Sequence, residues 1–96
     1  MEKRYTDKIN GDILSLYRER VTADENKIPK IDCAINLLKL RNERGNRQAD
    51  LAKALRVDKK NVSQWERAEV APSLRYLIAL AKFYGVTVDH LLSPCE

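Results

Sequence analysis

Between Cys33 and Leu92 the apolar residues recur three and four positions apart, and turn-forming residues interrupt the pattern at short intervals. Nowhere do apolar and polar residues alternate over a strand's length. That combination confines the chain to short amphipathic helices, because only a helical period gathers such residues onto one face. Cys33, Leu37, Leu40 and Arg41 share one face of a helix that Asp32 is placed to cap and Gly45 to stop. Leu51, Ala52 and Leu55 mark a second helix; Val62 and Trp65 mark a third, with Asp58 as its N-cap. Pro72-Ser73 breaks the chain, and Ser73 is placed to cap a fourth helix bearing Leu74, Leu77, Ile78, Leu80, Ala81 and Tyr84, which Gly85 ends. Thr87 caps a last short turn in which Val88, Leu91 and Leu92 close the core. The prediction is an all-α, five-helix domain over residues 31–92, followed by a tail at 93–96.

Residues 1–30 form an extension to that domain. Ile9, Ile13, Leu16 and Tyr17 fit one face of a helix, weakened by Asn10-Gly11 near its start. Thr22 to Lys30 reads as a charged linker holding Pro29. The first helix of the domain carries a second apolar stripe, Ile31, Ile35 and Leu38, roughly 200° round from the inward one. Exposed, that stripe would invite aggregation. The extension helix is expected to cover it, within the chain or across a dimer.

Charge and composition narrow the function classes. The net charge is +4, and residues 31–70 hold nine basic against six acidic groups, so the excess sits mid-chain. A basic excess concentrated in one region favours an anionic partner. No apolar run reaches the ~18 residues that cross a bilayer, so no membrane partner is expected. The opening Met1-Glu2-Lys3-Arg4-Tyr5 lacks the apolar stretch of a secretory signal, which makes the cytoplasm the expected compartment. Cys33 and Cys95 lack metal-type spacing and read as a core residue and a tail thiol; His90, the single histidine, reads as helix surface. With one histidine, no phosphate-cradling glycine loop and no paired nucleophile and base, no catalytic site and no cofactor are expected.

The segment from Gln48 to Arg67 carries the chemistry. Two helices crossing steeply need a small residue where they touch, and Ala52 supplies it, while Leu51, Leu55, Val57, Val62 and Trp65 fill the wedge. Lys59, Lys60, Asn61, Ser63, Gln64 and Arg67 are left facing outward from the third helix. That face is neutral or positive and rich in hydrogen-bonding groups, a chemistry suited to base edges in a major groove about as wide as a helix.

Residues 34–92 resemble the lambda-repressor/Cro-like (Xre-type) helix-turn-helix family. The likeness rests on Leu40-Arg41 before Gly45, Gln48 with Leu51-Ala52, and Val62-Ser63-Gln64-Trp65-Glu66-Arg67. Pro72-Ser73-Leu74, Leu77, Leu80-Ala81 and Gly85-Val86-Thr87-Val88-Asp89-His90-Leu91-Leu92 complete it. The resemblance implies that Gln48 contacts a phosphate and supports a recognition side chain. It implies that Lys59, Lys60 and Gln64 read bases or adjacent backbone, supplemented by Asn61 and Ser63, and that Arg67 clamps a phosphate. It also implies an ion pair between Arg41 and Glu66. Three departures bear on the turns. Arg56 stands at a position usually glycine, and a phosphate contact there is one reason for it. Asn46-Arg47 replaces an apolar residue and a capping Ser or Thr, which sets Arg47 close to the DNA. Ala68 stands where glycine is common.

The function implied is sequence-specific binding of double-stranded DNA by a transcriptional regulator, a repressor acting as a homodimer on paired half-sites. The alternative is an antitoxin or accessory module that binds a protein partner through residues 1–30, with DNA secondary.

Overall fold

The computed structural model describes residues 2–94, with side chains from Lys8 onward. Cys95 therefore lies outside the described residues. Six helices follow one another: α1 (Glu2–Thr22), α2 (Ile28–Arg44), α3 (Gln48–Leu55), α4 (Lys59–Glu66), α5 (Leu74–Tyr84) and α6 (Val88–Leu92). No strand occurs among the described residues.

The N-terminal third is more ordered than the sequence patterning predicts. The extension is one long helix that runs through Asn10-Gly11, and the expected linker shrinks to residues 23–27. Pro29 lies in the first turn of α2 rather than in a loop. A proline is tolerated there because the N–H it lacks has no intrahelical acceptor. Asp32 consequently stands inside α2 rather than at its N-cap. It is buried and accepts from Arg20 Nε at 2.6 Å and Nη2 at 3.3 Å, which pins the last turn of α1 to α2.

Helix α2 is the centre of the molecule, apolar on two sides. Cys33, Leu37 and Leu40 meet Leu51, Ala52, Val62, Trp65, Leu77, Leu80, Ala81, Tyr84 and Leu91 in the larger core cluster. Ile31, Ala34, Ile35 and Leu38 meet Ile9, Leu16 and Ala68 in a second cluster, flanked by Ile13, Tyr17 and Ala23. The second stripe is thus covered within the chain, by α1. Fully burying an aliphatic side chain contributes roughly 1.5–3 kcal/mol, so α1 is firmly seated. Trp65 belongs to the core, its ring 5.5 Å from that of Tyr76. Leu92, expected in the core, is 45% exposed, and Leu74 and Ile78 on α5 face solvent as well.

The helix ends match some expected caps and not others. Gly45 and Gly85 take the left-handed conformation that closes α2 and α5. Thr87 Oγ1 accepts from the His90 N–H at 3.0 Å. Asp58 and Ser73 occupy N-cap positions, yet neither side chain accepts a capping hydrogen bond. Asn36 closes α6 from outside, its amide reaching the carbonyls of Leu91 at 2.9 Å and Ser93 at 3.1 Å.

Candidate nucleic-acid interface

Arg56, Val57 and Asp58 join α3 to α4, and the joint works because Arg56 adopts φ 57°, ψ 47°. A non-glycine residue there costs on the order of 1–2 kcal/mol. Its N–H, like that of Val57, still reaches the last carbonyls of α3. Arg47, at the start of α3, has no side-chain acceptor with which to cap. Asp50 compensates from the other direction, accepting the Arg47 N–H at 3.0 Å. Ala68 ends α4 with φ 58°.

Beneath the joint lies a buried charge network. Arg41 donates to Glu66 through Nε at 2.6 Å and Nη2 at 2.9 Å, and through Nη1 to the Asn46 carbonyl at 3.0 Å. Both partners of the ion pair are about 4% exposed. Gln48 Nε2 donates to Glu66 Oε1 at 2.8 Å. One carboxylate therefore holds the start of α3, the end of α4 and the last turn of α2 together. Part of Gln48's hydrogen-bonding capacity is committed to that network, which leaves its oxygen for an outside donor.

The residues singled out in the sequence fall into three groups. Arg47, Gln48 and Lys59 line one hollow, and Gln48, Ser63 and Arg67 line an adjoining one. Lys60, Asn61 and Gln64 line neither hollow, Lys60 being exposed and the other two half-buried. Arg56 stands apart, in a separate hollow with Arg75, Tyr76, Lys82 and Phe83 between the end of α3 and α5. Lys59, Lys60, Asn61, Ser63 and Gln64 have no side-chain hydrogen bond or ion pair among the described residues, whereas Arg67 meets Glu69 in an exposed pair at 3.3 Å. Sequence reasoning missed the polar edge of α1. Lys8, Asp12, Ser15 and Glu19 repeat at helical spacing beside the buried stripe and form the far wall of the two hollows.

Two short helices, one laid across the other with a positive-φ residue between them and a donor-rich outer face, are the frame of a helix-turn-helix. The pattern of the family described as Helix-turn-helix matches residues 37–91, more than half of the chain. The chain belongs to the lambda-repressor-like helix-turn-helix family. This is a family of DNA-binding domains, not of enzymes. Over 60 residues, 62% of its length, the chain is 43% identical to the HTH-type transcriptional regulator DdrOP3 of Deinococcus deserti, covering 46% of that protein. It is 37% identical over 60 residues to the HTH-type transcriptional activator BcrR of Enterococcus faecalis, covering 29% of it. The chain thus spans less than half the length of these relatives. No solved structure matches it at a significant level. Helix α1 precedes the matched region and is an addition to the family's frame. Among the described residues no helix is long and apolar enough to cross a membrane, and no cluster of side chains is arranged to hold a metal.

Proposed function

We propose that the protein is a transcriptional regulator that binds specific double-stranded DNA, with α4 lying in the major groove. The observation that carries this reading is the outer face of α4. Lys60, Asn61 and Gln64 stand on a helix held from behind by the Arg41–Glu66 pair, with donors uncommitted among the described residues. Glutamine and asparagine suit adenine, and lysine suits the acceptors of guanine. Arg47, Lys59 and Arg67 flank that face with positive charge, as phosphate contacts require. The similarity to transcriptional regulators supports a role in regulating transcription. Repression needs only occupancy of the operator, and the protein acts as a repressor.

One reading helix covers few base pairs, so the protein acts as a homodimer on two half-sites. Leu74 and Ile78, one turn apart on α5 and exposed, support self-association. A second reading, a protein partner held through α1, has Leu14 and Val21 in its favour, seven positions apart and exposed.

The test is selection of bound duplexes from a random pool, followed by binding across a salt series. An enriched motif is expected, with log affinity falling against log salt by about 0.9 per phosphate engaged. A flat salt response, or a pool that never enriches, rejects the proposal.

A further inference from the structure

The two hollows between α1 and the helix-turn-helix, of 330 and 380 Å³, share Lys8, Asp12 and Gln48 in their linings and so adjoin as a path beside α1. Its wall opposite α1 carries Arg47 and Lys59 toward one end and Arg67 toward the other. These mark the starts of α3 and α4 and the segment just past α4. A phosphodiester strand that meets both Arg47 and Arg67 therefore runs alongside α1. Helix α1 is not free to swing away, since Ile9 and Leu16 are seated on α2 and Arg20 is held by buried Asp32. The path has two fixed walls.

The α1 wall is of mixed charge. Lys8 Nζ lies 3.2 Å from Asp12, with the side chains 76% and 46% exposed. Glu19 pairs with Lys27 at 2.8 Å, also exposed. Such solvated pairs are weak, so a phosphate can draw the Lys8 ammonium away from its carboxylate.

We propose that α1 is part of the DNA interface, forming one wall of a groove that takes a phosphodiester strand. Lys8 adds a phosphate contact, and Asp12 repels a strand that lies too close. The proposal rests on the DNA-binding reading above and extends the interface beyond the family's matched region. A wall bearing both signs tolerates only a narrow range of strand positions. It weakens indiscriminate backbone binding more than binding in register.

The experiment measures binding of the full chain to a short random-sequence duplex across a salt series, for wild type, Lys8→Gln, Asp12→Asn and Lys59→Gln. Lys8→Gln weakens low-salt binding about three- to tenfold and lowers the salt slope by about 0.9. Asp12→Asn strengthens low-salt binding about threefold, a gain that fades as salt screens the carboxylate. Thermal melts matching wild type show that neither effect arises from misfolding. If Lys59→Gln weakens binding but the two α1 variants do not shift it in opposite directions, the α1 wall is no part of the interface while the DNA reading stands. If the wild type ignores duplex DNA, both readings fall.

Discussion

Arg56 and Ala68 share the left-handed conformation, at φ 57° and 58°, yet they respond differently to the same substitution. Arg56 is exposed, so Arg56→Gly relieves backbone strain and loses little packing. Allowing for the greater freedom of glycine in the unfolded chain, urea denaturation is expected to show a gain of about 0.5–1 kcal/mol. Ala68 is 1% exposed within the α1–α2 cluster. Losing its methyl costs about 0.8 kcal/mol, so Ala68→Gly comes out near neutral. The Arg41–Glu66 pair sits at the other extreme. Arg41→Ala leaves a buried carboxylate without its bidentate partner, and an equilibrium melt should show a loss of about 3–5 kcal/mol. Both positive-φ sites could be flagged from the sequence, because arginine and alanine stood where the fold asks for glycine. The Arg20–Asp32 pair could not, because it exists only once two helices have crossed. Asp32 instead had the local look of a cap.

At the scale of the element, the helices from α3 onward were legible and the N-terminal ones only partly. Apolar spacing fixes the middle of a helix well, but its start depends on weaker local signals. Pro29 looked like a linker residue, although a first-turn proline is compatible with a helix that has already begun. Gly11 looked like a weakness and is one, energetically. It lies within α1 with no neighbouring atom within 4 Å of an added Cβ. Gly11→Ala is therefore expected to stabilise the protein by about 0.5–1 kcal/mol in the same urea assay. The docking of α1 was foreseen from the second stripe on α2. The part proposed above for its polar edge was not, since nothing in the local sequence says which way that edge turns. Ile35 is fully buried beneath α1. Ile35→Glu places an unpaired charge there, which is expected to unfold the α1–α2 contact and expose apolar surface, read out as dye binding and a rise in mass by light scattering.

For the whole molecule, the question is how a single α4 gains enough specificity. A duplex with two inverted half-sites one helical turn apart should bind far more tightly than one half-site, with a stoichiometry of two chains per duplex by analytical ultracentrifugation. Equal affinity for the two probes would show that each chain reads alone. The architecture also sets how the reading surface behaves. Glu66 ties the last turn of α4 to Arg41 on α2, and Ala68, two residues on, is packed between α1 and α2. Helix α4 is clamped at its C-terminal end to the most deeply embedded element of the fold. If α4 is the reading helix proposed above, it has little freedom to pivot toward a poorly matching operator. Any misfit must be absorbed by bending the duplex or by exchanging the side chains at 60, 61 and 64. On that proposed reading, a new target preference can be installed by rewriting those three positions on an unaltered scaffold.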